Sequence, residues 1–353
     1  MSRYWSKIVS DLEPYVPGEQ PKDRRYIKLN TNENPYPPSP RVIEAIKHAA
    51  NDLLKLYPDP NCEDLRDAIA KYHGVDSGNV FVGNGSDEIL ALAFFTFFKQ
   101  DLPLLFPDVT YSFYDAYCNL FNIEAKRIPI RPDFTIDLKD YIRPNGGIIF
   151  ANPNALTANC ISPEEIERLL EANTGSAVVV DEAYIDFGGE TAIPLIKKYP
   201  NLLIIQTLSK SRSLAGLRVG FAVGEQELIE GLDRTKNSFN SYTLDRLALA
   251  GALESIKDEE YFQETCRKVI ETREWTTKEL GGLGFSVVPS KANFILIQHE
   301  RLPAKVLFQK LRDEGILVRY FDKPRVRNHL RVTIGTEAEM KTFVQKVREL
   351  VKS

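Results

Sequence analysis

The segment NLLIIQTLSKSRSLAGLRVGF, residues 201–221, opens with the apolar run Leu202 to Ile205 and then sets Lys210 between hydroxyl residues. A short, nearly all-apolar run bounded by turn residues reads as a strand buried on both faces. The same signature recurs in NVFVG (79–83), GGIIFAN (146–152), SAVVVDEAY (176–184) and LRVGFAVG (217–224), with helical segments between the runs. That alternation predicts an α/β fold built on a mostly parallel sheet covered on both faces.

The 353 residues, 43% of them apolar, suffice for a well-packed core and suggest about two domains. Against 49 acidic residues stand 45 basic ones, scattered rather than blocked, so nothing points to nucleic acid or a membrane surface. The opening MSRYWSKIVSDLEPYVPGEQ has no continuous apolar stretch and no cleavage pattern, which makes the cytoplasm the expected location. The most apolar run, Ile89 to Phe98, is far shorter than the roughly 20 residues a membrane span needs, and reads as a buried helix. Cys62, Cys118, Cys160 and Cys266 show no C-x-x-C spacing and are expected to stay reduced.

Helical spacing of Leu65, Ile69 and Tyr72 predicts a helix capped by Asn61 and ended by Gly74. From about Thr243 the character changes to long charged helices followed by the alternating runs FSVVPSKANFILIQ, ILVRYF and HLRVTIG. Thr336 with Glu339 forms a capping box for a last helix. The expected organisation is an N-terminal arm over 1–35 joining a smaller unit, a large domain over 36–242, and that smaller α+β unit over 243–353.

Ligands of open parallel sheets sit beyond the carboxyl ends of the strands, so the residues following each apolar run carry the chemistry. GNGSDEIL (83–90) offers glycines, free backbone N–H groups and the Ser86 hydroxyl at a helix start, a cradle for a phosphate. Glu88 stands where a dinucleotide fingerprint needs its third glycine, and no Walker lysine is present. Ser209 and Arg218 can grip the same anion. Asp181 follows AVVV and, once buried, demands a cationic partner such as a protonated pyridine nitrogen. Tyr184 lies three residues on and can bond a phenolic oxygen of the same ring. Lys210, read alone as a solvated loop lysine, becomes beside these groups an amine able to form a Schiff base. Together they describe pyridoxal 5'-phosphate.

The stretches LNTNENPYPPSP, LYPDP, GNGSDE, VTYSFY, DEAYIDF, TLSKSRSLAGLRVGF, SKANFIL and LRVTIGT resemble the fold-type I pyridoxal-phosphate-dependent aminotransferases of class II, and within them the histidinol-phosphate branch. The likeness runs nearly end to end. It implies Lys210 as the Schiff-base lysine and proton shuttle, Asp181 as partner of the pyridine nitrogen and Tyr184 as donor to the ring oxygen. Tyr111 would stack on the ring, while Gly85, Ser86, Asp87 (through its backbone), Ser209 and Arg218 would surround the phosphate. Tyr57 would reach that phosphate from a second subunit, which implies a homodimer with shared sites. Tyr15, Asn32, Arg319 and Arg331 would line the substrate side. The implied partners are an amino donor and a 2-oxo acid: L-histidinol phosphate with 2-oxoglutarate, giving imidazole acetol phosphate and L-glutamate in histidine biosynthesis.

Where the family usually reads N-P-N-N-P-T-G, this chain has NPNALTA, residues 152–158, so Ala155 replaces the asparagine expected at the ring oxygen. Asn154 is expected to take over that contact. Aromatic aminotransferases and a threonine-phosphate decarboxylase share much of the pattern and stand as alternatives. A regulator on a degenerate aminotransferase fold would need an extra DNA-binding segment, for which no room is expected before Asn30. His48, His73, His299 and His329 are far apart in sequence and show no metal-ligand spacing, so no metal is expected.

Overall fold

The computed structural model describes residues 3–15 and 18–352, so the outer limits of the expected arm and C-terminal unit, residues 1 and 353, lie outside the described residues. The strands, in chain order, are β1 (Ile27–Lys28), β2 (Val80–Gly83), β3 (Leu104–Pro107), β4 (Ala125–Ile128), β5 (Gly147–Ala151), β6 (Val178–Asp181), β7 (Leu202–Thr207), β8 (Gly220–Gly224), β9 (Phe285–Val287), β10 (Phe294–His299), β11 (Ile316–Leu317), β12 (Arg319–Tyr320) and β13 (Leu330–Thr333).

Seven of them form one sheet in the order β2-β8-β7-β6-β5-β3-β4. Pairings from β7 to β4 are parallel, whereas β8 runs antiparallel to both β7 and β2. The central strands β5, β6 and β7 are buried along their whole length, which is why they read as unbroken apolar runs. Alternate residues feed opposite faces: Val178 and Val180 pack in one apolar cluster with Ile148, Phe150 and Ile204, while Val179 packs in another with Ile149, Leu203 and Ile205. Two strands carry weaker signals. β3 is the short run LLFP, and β4, at the sheet edge, exposes Lys126 and Arg127, the charges with which an edge discourages further pairing.

The expected buried helix is Gly85–Phe97, lying against β7 and β8. Helix Glu63–His73 ends at Gly74, which takes the left-handed conformation at φ 65°. Its start differs from the expected cap: Asp59, not Asn61, accepts from the backbone of Glu63 at 2.6 Å and of Asn61 at 2.9 Å. An Asp two residues before the Asn competes for the same N–H groups, and the turn brings it closer.

A second sheet, β12-β13-β10-β9, is antiparallel throughout and is backed by helices Glu259–Gly282, Ala304–Asp313 and Glu337–Lys352. Thr336 and Glu339 cap the last helix reciprocally, each side chain accepting from the other's backbone N–H. β1 pairs with β11, which ties the N-terminal arm to this part of the molecule. Helix Arg246–Lys257, expected to belong with the C-terminal unit, packs instead on helices Pro40–Ala49 and Glu63–His73, its Ala248, Ala252 and Ile256 joining the cluster under the large sheet.

Candidate active site

A cavity opens at the carboxyl ends of β5, β6 and β7, walled on its far side by the N-terminal arm and by β12 and β13. Its phosphate-sized end is built from glycines. Gly85 sits at φ +75°, and a Cβ there would come 2.6 Å from Arg218 Nη2; a Cβ on Gly220 would come 2.5 Å from the Ser86 nitrogen. Only glycine lets these chains approach. Arg218 donates to Ser209 Oγ at 3.3 Å and to Asp87 Oδ2 at 3.2 Å, while Thr207 Oγ1 lies 3.0 Å from Ser209 Oγ. Helix N-terminal N–H groups, two hydroxyls and a guanidinium therefore converge, a donor set that suits an oxyanion. The Asp87 carboxylate faces Arg218 and accepts from the Tyr111 hydroxyl at 2.9 Å.

Asp181 closes β6 and is 4% exposed. Desolvation pushes its pKa up to about 6, against the opposing hydrogen bonds it accepts from the Tyr114 hydroxyl at 3.0 Å and the Ala183 N–H at 3.2 Å. Lys210, three residues past β7, holds its Nζ 5.7 Å from the centre of the Tyr184 ring. The Tyr184 oxygen accepts from Asn32 Nδ2 at 3.0 Å. Tyr111 meets Tyr114 edge-on at 5.8 Å and lines the cavity, and burial raises its hydroxyl pKa.

The other end is cationic. Arg331 donates to the carbonyls of Ala155 at 3.0 Å and Asn30 at 3.3 Å, and its buried Nε has no hydrogen-bond partner among the described residues. Its guanidinium lies 5.4 Å from the ring centre of Phe321, and that of Arg319 lies 5.5 Å from the same ring. Tyr15 also lines this end, stacked on Phe113 at 4.5 Å.

The structure thus gathers Tyr15, Asn32, Ser86, Asp87, Tyr111, Asp181, Tyr184, Ser209, Lys210, Arg218, Arg319 and Arg331 around one cavity, with Gly85 behind Arg218. Two expected residues lie outside it. Asn154 is fully buried and its side chain is consumed locally: Nδ2 donates to Val109 O at 2.9 Å, and Oδ1 accepts from the N–H groups of Leu156 and Thr157 at 2.9 and 3.0 Å. It holds the loop and does not face the ring site, which corrects the expectation that it replaces the missing asparagine. Ala155 and Leu156 line the cavity in its place. Tyr57, 77% exposed, stacks on Tyr242 at 4.6 Å, away from the cavity of its own chain.

Tyr114, Phe321 and Asn30 were not anticipated. Tyr114 had a legible signal, since it lies three residues after Tyr111 at the start of helix Phe113–Phe121, where such spacing shares a face. Among the described residues no group of His, Cys, Asp and Glu could hold a metal ion, and no helix is long and apolar enough to cross a membrane.

The family model for aminotransferase class I and II matches residues 24–347. A histidinol-phosphate aminotransferase of Clostridium botulinum (strain Langeland) is 57% identical over 351 residues, covering 99% of each chain. The corresponding protein of Clostridium acetobutylicum is 58% identical over 351 residues, covering 99% of this chain and 100% of that one. Among solved structures, a Sinorhizobium meliloti histidinol-phosphate aminotransferase in complex with pyridoxal-5'-phosphate has the same fold, with a TM-score of 0.91 at 22% identity over 100% of this chain and 98% of that one.

Proposed function

The chain belongs to the class I and II aminotransferases, and from that premise we propose that it exchanges an amino group between L-histidinol phosphate and 2-oxoglutarate, in histidine biosynthesis. Pyridoxal 5'-phosphate, the cofactor of the family, supplies when bound an aldehyde and an electron-accepting ring. The observation that carries the reading is the cavity itself: a buried carboxylate at Asp181, an amine at Lys210 and an oxyanion cradle of Ser86, Ser209 and Arg218 line one space.

The residues fit the cofactor. A carboxylate held up at about pKa 6 by burial gains most from a cationic partner, and a protonated ring nitrogen is one. Asp181 would hold that proton on the nitrogen, and the cradle would hold the phosphate. Lys210 would accept a proton from the substrate α-carbon and hand it on within the cavity. Tyr111 would cover the ring, and the Tyr184 hydroxyl would donate to the ring oxygen. Arg319 and Arg331 suit carboxylate and phosphate alike, since a guanidinium binds either in bidentate fashion. That property lets one end serve glutamate and a phosphorylated amine in turn.

A homodimer supports the site in this reading, with Tyr57 extended from one subunit toward the other's phosphate cradle. The exposed Leu53, Leu54, Leu56, Tyr57 and Phe239 supply an apolar surface for it. The four free cysteines accord with a reducing cytoplasm.

The test is absorbance spectroscopy of the cofactor-loaded protein with amino donors added singly. Histidinol phosphate and glutamate should each convert the visible band to the ultraviolet amine form. Faster conversion by phenylalanine or tyrosine would favour an aromatic aminotransferase, and release of carbon dioxide from threonine phosphate would favour the decarboxylase.

A further inference from the structure

Asn32 sits where three parts of the molecule meet, and its backbone N–H, its carbonyl and both ends of its side-chain amide each have a hydrogen-bond partner. Its backbone is left-handed at φ 56°, and it is 1% exposed. Its N–H donates to Thr333 Oγ1 at 3.0 Å, and its carbonyl accepts from Asn293 Nδ2 at 3.0 Å. The Thr333 hydroxyl, already an acceptor, lies 3.0 Å from Asn32 Oδ1 and donates to it. An amide whose oxygen is claimed in this way must turn its NH2 group the other way. That group donates to the Tyr184 oxygen at 3.0 Å. With one lone pair of its oxygen occupied by a donor, the Tyr184 hydroxyl sends its own proton elsewhere, and Tyr184 lines the cavity.

We propose that Asn32, fixed by Thr333 and Asn293, is a positioning residue that aims the Tyr184 proton into the cavity, rather than the substrate-side residue that the family resemblance implied. The proposal rests on the reading of Tyr184 as donor to the cofactor's ring oxygen. It also gives the C-terminal sheet a part in the chemistry: Thr333 ends β13 and Asn293 precedes β10, yet both act on a tyrosine that follows β6.

The experiment is a pH titration of the visible absorbance of the cofactor-loaded protein. A donor to the ring oxygen stabilises its anionic form and so lowers the pH at which the band changes; loss of that donor raises it. Asn32→Gly removes the amide while keeping a residue at ease with positive φ. It should raise the midpoint by about half to one unit, the worth of a modest hydrogen bond. Thr333→Val should do the same, and Thr333→Ser should restore the original midpoint. Tyr184→Phe should raise it further, and in that background Asn32→Gly should add nothing. The charged side chains that share the cavity with Tyr184, namely Asp87, Asp181, Lys210, Arg218, Arg319 and Arg331, are unchanged in all these variants. Thermal unfolding of the cofactor-free variants reports any purely structural loss separately. A raised midpoint in Tyr184→Phe with unmoved values in Asn32→Gly and Thr333→Val overturns the proposal alone. An unmoved midpoint in Tyr184→Phe overturns the reading of Tyr184 and the proposal with it.

Discussion

Burial of a carboxylate has opposite effects on stability and on function, and Asp181 exposes both. Its folded pKa of about 6 lies above the 3.8 of an unfolded, solvated aspartate. Between those values the unfolded chain has released its proton while the folded chain still holds it, so ionisation favours unfolding as pH rises through that window. Cofactor-free Asp181→Asn should therefore gain on the parent protein above pH 6, by roughly 2–3 kcal/mol, and the gain should fade below about pH 4. Urea unfolding at pH 4 and pH 8 measures it, and a gain independent of pH would be inconsistent with a buried, ionisable Asp181. The same variant should lose transamination. Lys210→Ala should lose both the visible band and turnover with little change in urea midpoint, because it deletes an amine at a cavity wall rather than packing. Arg319→Ala should raise KM for histidinol phosphate by about one to two decades, the worth of one charge-assisted contact, with little effect on cofactor retention. Asp181 and Lys210 stood out in the sequence because each lies at or just past the end of a parallel strand, and Arg218 because it precedes β8, whose antiparallel start lies beside the end of β7. Asn154 was misread because nothing in NPNALTA says which way an asparagine turns.

At the scale of the element, that loop is a structural device. Asn154 ties it with three hydrogen bonds, so Asn154→Ala should cost about 1–3 kcal/mol while leaving the pH midpoint of the cofactor band where it was. Ala158 is fully buried at φ 65°, a conformation an alanine adopts at a cost, so Ala158→Gly should be neutral to stabilising, by up to about 1 kcal/mol. A matched pair of urea titrations decides both. Leu156 packs with Val109, Leu296 and Val326, joining loops of the large sheet to strand β10 and to the segment before β13. Helix Glu63–His73 illustrates the same limit on local reading. Its end was legible from Gly74, whose left-handed geometry is a property of glycine, whereas its cap depended on which of two nearby side chains the turn brought into reach.

For the whole molecule, the proposed homodimer makes its own prediction. Replacing Leu53 and Leu56 together by Asp should place charge on the exposed apolar surface and give a monomer by sedimentation that retains cofactor poorly. A double variant that stays dimeric would remove that surface from the interface. The period and punctuation of the chain were enough for the α/β class, for strands β2 and β5 to β8, and for the polar residues that the structure gathers at one cavity, because a strand buried on both faces must be apolar while the residue past its end is free to be polar. β3 and β4 were missed for the converse reason: four residues beside a proline, or on a charged edge, carry too little pattern. Packing of helix Arg246–Lys257 beneath the large sheet depends on surfaces supplied by helices some 200 residues earlier in the chain. So does the contact by which Thr333 orients Asn32 toward Tyr184, across 301 and then 152 positions. Local sequence records what each segment must bury and what chemistry it carries; which groups face one another is set by close packing between distant segments, and no local pattern encodes it.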